Sequence, residues 1–580
     1  MSLACWRSSA SRAALLGLSA AFCVVLCLPA RPALAAATYV VDSQVDSPKL
    51  LGSGAACQSV LLPDHPCTLR AAVDTANTVG TQGVTVQVPG DFVILLRNAY
   101  GALHPQVSTT VTSTGGGRAT VDGQNQVGVL SVDSTNTVTL TDLIIQHGRR
   151  SAASGGAVLL GGTLVTNNVS FIGNQAALDG GAIYDIDGSL TLNGGSFSQN
   201  TAQFGGAVYV ASGGTMTANG TVFSGNTANN GGAIEVPGHA TLNGVAVTGN
   251  QAASIGGGVL ELGTGIGGPA QLDVSNSTFS GNSSASGGGA ILVDQSSLTL
   301  HGSTLSGNQG TTSGGGLQVS IGNATLTNDT ISGNSADSGG GINQFSGTAS
   351  TRPSAPPSAA MRSLLDKLAA ARSEASDQPK SAGAQKSTAP RRSQPDAVSL
   401  ESVTIANNTA AVGGGVWNTI GSFTAHDSIV ANNSATAPSS PDCFGTVTSG
   451  GYNLEGAADC AFTATGDKQN SAPGLAPLAS NGGPTQTLAL QGGSPALDAG
   501  DPACPPPATD QRGVSRPQGP RCDIGAFELS VAAAPVPAPP STGRPAHPDA
   551  VWAALLVIGL LLPVGAGAVL SGRGSQRRHG

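Results

Sequence analysis

From residue 151 the chain repeats one short sentence, and that repetition limits its fold more than any other feature. Successive units read GGAIYDIDGSLTLNGGSFSQN, GGAVYVASGGTMTANGTVFSGN and GGAIEVPGHATLNGVAVTGN. One asparagine closes each unit, at positions 174, 200, 226, 250, 282, 308, 334, 408 and 433, in steps of 26, 26, 24, 32, 26, 26, 74 and 25 residues. Three positions before each stands an apolar residue: Phe171, Phe197, Phe223, Val247, Phe279, Leu305, Ile331, Ile405 and Val430. The long step holds an insertion of about 48 residues, and subtracting it restores 26.

A period of this length means a solenoid, a propeller or an array. Each unit contains short alternating segments such as Ala-Val-Tyr-Val and Ser-Leu-Thr-Leu, the period of strands with one buried face, and no apolar run at helical spacing. Propeller blades need about 40 residues. About 25 residues suffice for one triangular turn of a parallel β-helix, whose coils stack roughly 4.8 Å apart. The apolar ladder then lies inside the tube, and the asparagines exchange amide hydrogen bonds from coil to coil. Gly-Gly pairs open each coil where the backbone bends.

Composition agrees. Glycine supplies 83 of 580 residues, about twice the usual share, and charged residues only 10%. A net charge of −8 argues against binding nucleic-acid phosphates, which needs clustered Lys and Arg. Aromatics at 3% leave little for a large aromatic core.

Both ends read as addresses. Residues 1–35 carry Arg7 and Arg12, an apolar run from Ala13 to Leu28, and Ala33-Leu34-Ala35, the order of a secretory signal peptide. At the other end stand Pro539-Pro540-Ser541-Thr542-Gly543, the apolar run Val551 to Leu570 (a transmembrane helix at 551–570), and a basic tail at 571–580. This order resembles a Gram-positive cell-wall sorting signal, with Pro539 where leucine is usual. The resemblance implies that Pro540, Thr542 and Gly543 mark a sortase site, cut between Thr542 and Gly543 and joined to peptidoglycan; a plain membrane anchor is the alternative. Either version places the body at the bacterial cell surface.

Six cysteines remain after export: Cys57, Cys67, Cys443, Cys460, Cys504 and Cys522. An even count in an exported chain favours disulfides over metal ligation, and no CxxC or HExxH spacing appears. Nearest-neighbour pairing is expected, because each pair sits in its own segment outside the repeats.

GGAI with FSGN resembles the repeats of polymorphic outer-membrane proteins and related pectin-lyase-like surface proteins, which implies a right-handed coil. Cys67-Thr68-Leu69-Arg70-Ala71-Ala72-Val73 resembles the CSLREA domain. The stretch from Asn481 to Glu528 (NGGPTQTLAL, GGSPALDAGD, DQRG, CDIGAFE) resembles the choice-of-anchor Q domain. The expected order is a signal peptide (1–35), a CSLREA-like cap (36–80), coils (81–350), a basic insertion (351–398), final coils (399–440), a choice-of-anchor Q-like domain (441–530) and a Pro/Ala-rich spacer (531–550). Residues 68–78 read as a short amphipathic helix capping the first coil, and Val84–Val88, Phe92–Leu96 and Val138–Ile145 as irregular first strands. The insertion carries eight Lys and Arg and a helical stripe of Met361, Leu364, Leu365 and Leu368, and reads as a solvated loop.

The pectin-lyase-like class includes enzymes, so the resemblance implies that the coils could carry catalytic residues. Residues 151–350 and 399–435 hold no Lys or Arg, which argues against lyase chemistry on an acidic polysaccharide. Glycoside hydrolysis needs two carboxylates at about 5 or 6.5–9.5 Å. Aligning GGAIEV with GGVLEL stacks Glu235 over Glu261, below Tyr184 and Tyr209, a column able to hold a sugar. Asp498, Asp501, Asp510 and Asp523, near Arg512 and Arg516, read as ion pairs pinning a terminal cap.

The sequence thus points to an all-β, right-handed parallel β-helix solenoid of about ten coils. It has N- and C-terminal caps, a signal peptide and a C-terminal transmembrane tail. The expected role is a monomeric, non-enzymatic stalk or adhesin contacting glycans or other surfaces, without metal or cofactor. A polysaccharide hydrolase using Glu235 and Glu261, or a purely structural wall component, are the alternatives.

Overall fold

Period-two alternation produces short parallel strands that stack coil on coil. In this computed structural model, residues 37–530 are described, except 62, 81, 152, 264–269, 346–395 and 437–439. The signal-peptide, sorting-signal and membrane-tail segments, and nearly all of the insertion, lie outside the described residues. Among those described, no helix is long and apolar enough to cross a membrane.

The strands form three long parallel faces. The first has 14 strands, from Thr38–Val40 to Thr448–Gly451; the second has 13, from Val93–Leu95 to Leu454–Glu455; the third has 11, from Leu130–Val132 to Cys443–Gly445. A fourth, shorter sheet of 7 strands runs from Thr227–Asn230 to Ser434–Ala435. The chain is therefore an all-β parallel solenoid, with more coils than the ten the repeat count suggested, because non-repetitive residues before 151 and after 433 also stack.

Two ladders hold the coils in register. Phe171 pairs with Phe197 and Phe197 with Phe223. Their buried rings stack at 4.6 and 5.0 Å, 9° and 13° from parallel. At the asparagine corner, each Oδ1 accepts from the backbone N–H and the Nδ2 of the asparagine one coil earlier, 3.0 and 2.9 Å for Asn200 on Asn226. Each Nδ2 also donates to a backbone carbonyl, as Asn200 does to Phe171 at 3.0 Å. The ladder runs unbroken from Asn174 to Asn433, across the insertion at Asn334–Asn408. Asp442 ends it: its Oδ1 accepts from Asn433 N–H and Nδ2 at 3.1 and 2.9 Å.

Both paired glycines are needed for space, and the first also for its conformation: a Cβ on Gly180 would lie 2.0 Å from the Ile183 carbonyl oxygen. Gly180 is left-handed at φ +62°, a conformation that costs other residues about 1–2 kcal/mol. Gly181 is needed for space: a Cβ there would lie 2.1 Å from the carbonyl oxygen of Gly206.

At the N-terminal end a helix (Leu69–Val79) starts at Thr68, whose side chain accepts from the Ala71 N–H, and stops at left-handed Gly80. Leu69, Ala72, Val73 and Ala76 join the same core as the first coils. Arg70 is tied to Asp46 at 2.6 Å and to the Gly101 carbonyl at 2.7 Å. The stretch expected as one strand over 138–145 is two, Thr137–Thr141 and Leu143–Gln146, broken at left-handed Asp142. Disulfides join Cys57–Cys67, Cys443–Cys460 and Cys504–Cys522.

The C-terminal segment departs from a simple end cap. Residues 459–468 close the last coil, with Glu455 N–H donating to the Lys468 carbonyl and Asp459 accepting from Asp442 and Cys443. Residues 485–527 instead fold back along the second face. Thr485 donates to the Gly302 carbonyl, Gln511 bonds Ser303, Thr304 and Thr330, and Ala526 N–H donates to Thr404. The outward column there, Thr304, Thr330, Thr404 and Ile429, is small or β-branched and fully covered, whereas its equivalent Val222 further up is 38% exposed.

Candidate functional site

The third face carries the column that the repeats singled out. Tyr184 lies opposite Tyr209, with ring centroids 5.6 Å apart, and Tyr209 lies opposite Glu235. Glu261 does not continue it. Glu235 pairs with Leu260, and Glu261 pairs with Val236 and Val293, one residue out of step. The cause is the triplet Gly256-Gly257-Gly258: the left-handed turn falls on its first glycine, so Gly232 N–H bonds the Gly256 carbonyl and Ala233 N–H that of Gly258. A one-residue slip turns a side chain to the opposite face of a strand.

Glu261 is consequently interior. It is fully buried, neither carboxylate oxygen has a hydrogen-bond partner among the described residues, and burial pushes its pKa well up, helped by Asp273. It sits in the same inward column as Asp185, which burial raises to about 7 while Gly188 N–H donates to it at 2.7 Å. Glu235 is also buried, and Tyr209 is only 4% exposed. The four residues therefore do not form an open acidic groove, and the two glutamates are not a facing pair.

Further along the same column the surface opens. Continuing from Glu235, its outward residues are Leu260, Leu292, Gln318, Asn343, Trp417 and Phe444. Phe345, two residues after Asn343, also faces out. Its ring lies 6.3 Å from that of Trp417, and Trp417 lies 6.3 Å from Phe444 at 13° from parallel. Phe345 and Phe444 are 42% and 41% exposed. Exposed apolar surface built from stacked rings marks contact sites more often than chance exposure does. The sequence reading missed this patch, although aligning GGGIN with GGGVW on the left-handed Gly339 and Gly413 places Asn343 and Trp417 together.

The acidic cluster near the C-terminus resolves into structural pairs. Arg512 grips Asp510 at 2.7 Å and stacks on Phe527, its Cζ 3.6 Å from the ring centre. Arg516 is buried against Glu528 at 3.1 Å and donates to the Asp523 carbonyl. Asp498 N–H donates to Asp523, whose carboxyl burial raises to about 6. Asp501 reaches away to His426, which is held between Glu401 at 3.1 Å on Nδ1 and Asp501 at 3.1 Å on Nε2. Two acceptors on one imidazole demand both ring protons, and the Glu401 hydrogen bond leads in raising its pKa to about 9.

Among the described residues, two triads bring their ligand atoms close enough for a metal: Glu401–His426–Asp427 and Glu455–Asp459–Cys460. In the first, both ring nitrogens of His426 are already bonded to Glu401 and Asp501, and in the second Cys460 is tied up in the disulfide to Cys443.

Fold and surface together define a parallel β-solenoid with an exposed aromatic stack. Three segments, 168–185, 220–237 and 276–294, match the Chlamydia polymorphic membrane protein repeat. No curated protein matches. Among solved structures, tailspike protein 3 of bacteriophage CBA120 is similar at 11% identity and a TM-score of 0.29, over 69% of this chain and 56% of the tailspike. Pectate lyase Pel9A is similar at 12% identity and a TM-score of 0.27, over 85% of this chain and 96% of the lyase.

Proposed function

We propose that this chain is an exported, surface-held β-helix whose Phe345–Trp417–Phe444 stack binds neutral glycans without cleaving them. The single observation that carries the reading is that stack: three outward rings, two of them over 40% exposed, in a chain only 3% aromatic. Aromatic faces take the apolar C–H faces of sugars, and the absence of Lys and Arg from 399–435 favours uncharged ones. The likeness to polymorphic membrane protein repeats supports a surface location, as do the secretory signal and sorting tail read in the sequence. The displaced Glu261 removes the geometric basis for a Glu235–Glu261 hydrolase.

The test is a polysaccharide screen with the full-length protein, followed by Trp417→Ala and Phe444→Ala. Each ring is expected to contribute about 1 kcal/mol, so single variants should bind several-fold more weakly. Unchanged binding by the double variant would place the contact elsewhere, and release of reducing ends would make the chain an enzyme.

A further inference from the structure

A second surface feature lies near the other end of the tube. A cleft of about 310 Å³ is lined by His104, Asp133 and Arg150 together with the aliphatic Leu159 and Ile186. Arg150 is built in. Its Nε donates to the Gly155 carbonyl at 2.9 Å, and its Nη2 to the Leu130 carbonyl and Ser131 Oγ, both at 3.1 Å. Gly128 makes room for it, since a Cβ there would fall 2.6 Å from Nε. These partners are all neutral. No carboxylate among the described residues pairs with the guanidinium, and Nη1 has no hydrogen-bond partner among them.

A half-buried cation held only by neutral oxygens is unusual, because burying charge is costly unless a counter-charge compensates it. Burial lowers this guanidinium to about 10, which leaves it charged at neutral pH. Asp133, the nearest acid on the cleft, is engaged by His104 at 2.8 and 2.9 Å, and that bond raises the imidazole's pKa. Arg150 thus stays without a counter-charge, and Leu159 with the part-exposed Ile186 gives the same cleft an aliphatic lining.

We infer that this cleft binds a small organic carboxylate with an apolar body. The carboxylate meets Arg150 Nη1, and the body lies on Leu159 and Ile186. A guanidinium edge matches a carboxylate, and a phosphate has no apolar body to cover the aliphatic lining. The site is distinct from the aromatic stack and does not depend on glycan binding.

Calorimetric titration of the full-length protein with benzoate, benzyl alcohol and inorganic phosphate tests it. Benzoate is expected to bind, with the neutral alcohol and phosphate each at least about tenfold weaker. Arg150→Gln should weaken benzoate by about tenfold or more, while Arg149→Gln, on the exposed neighbour, should leave it within about twofold. Bound benzoate should also raise the melting temperature of the wild type and not of Arg150→Gln. If Arg150→Gln fails to fold, His104→Gln decides, with a loss of about threefold expected. No benzoate binding, equal binding of alcohol or phosphate, or a folded Arg150→Gln that binds benzoate like the wild type overturns the site.

Discussion

Replacing Asn226 by aspartate tests the corner ladder with a change of one atom. Asn226 is completely buried. Its Oδ1 accepts from Asn200 N–H and Nδ2 at 3.0 and 2.9 Å, roles an aspartate oxygen can keep. Its Nδ2 donates to the Phe197 carbonyl at 3.0 Å and to Asn250 Oδ1 at 2.9 Å. In Asn226→Asp the second carboxylate oxygen faces both acceptors, so two hydrogen bonds are lost. Each loss costs about 1 kcal/mol; Asn250 Oδ1 keeps the Asn226 backbone N–H at 2.9 Å, so only the Phe197 carbonyl is left short, at about 1 kcal/mol more. Keeping the charge ionised there adds a desolvation penalty, so the total at neutral pH is about 4–6 kcal/mol.

The variant can escape by protonating, because a carboxylic O–H restores one donation. Its folded pKa is therefore raised above its unfolded value. The deficit against wild type should be smallest below about pH 4 and grow as pH rises through the folded pKa. Urea unfolding followed by circular dichroism measures this, with Asn229→Asp, an exposed position in the same coil, as the matched control. Equal midpoints for the two variants at pH 7, or a deficit independent of pH, would refute the ladder's role.

Other substitutions test separate parts of the structure. Phe197→Ala should cost about 3–5 kcal/mol by leaving a cavity between Phe171 and Phe223, whereas Phe345→Ala should stay within about 0.5 kcal/mol in thermal melts. Gly181→Ala should block native stacking through contact with the Gly206 carbonyl, while Gly220→Ala, left-handed with open space around it, should cost only about 1–2 kcal/mol in the same melts. His426 should hold the C-terminal segment at neutral pH: its folded pKa of about 9 exceeds the ordinary 6.5, so its contribution is full below about 6.5 and lost as pH rises through 9. Protection of residues 496–527, measured against intrinsic exchange at each pH, should fall between pH 7 and pH 10, and His426→Ala should lower it throughout.

What could be read in advance follows from repetition. The asparagine and phenylalanine ladders recur at one period, so each unit corroborates the last, and the coils form in the expected register. The Glu261 error came from a position where repetition is ambiguous, since three consecutive glycines offer two alignments and only the backbone shows which glycine turns left-handed. The aromatic stack escaped notice for the opposite reason: its rings do not recur from unit to unit, Phe345 and Trp417 standing on either side of the insertion and Phe444 beyond the last ladder asparagine. The fold-back of residues 485–527 has no periodic signal at all. Its only advance sign was the outward column on which it lies, where Thr304, Thr330, Thr404 and Ile429 replace the mixed residues of earlier coils.

How the stack ends explains why the chain spends so many residues outside its repeats. A parallel solenoid exposes an unpaired strand edge at each end, and an unpaired edge templates further strands. At the first coil the helix over Leu69–Val79, fixed by Arg70 on Asp46, packs Leu69, Ala72, Val73 and Ala76 against the core. At the last, the ladder requires a change of residue type. Another asparagine at 442 would again present a donor with no coil beyond it, whereas Asp442 only accepts, from Asn433 on one oxygen and from Ala457 N–H at 2.9 Å on the other. Residues 459–468 then pair with the final strand, and the Cys443–Cys460 disulfide ties them to it. The acid that would be most damaging inside the ladder is thus the residue that lets the ladder stop. Moving it one coil inward, as aspartate at Asn433, would set a buried carboxylate against Asp442 and open the end that both residues close.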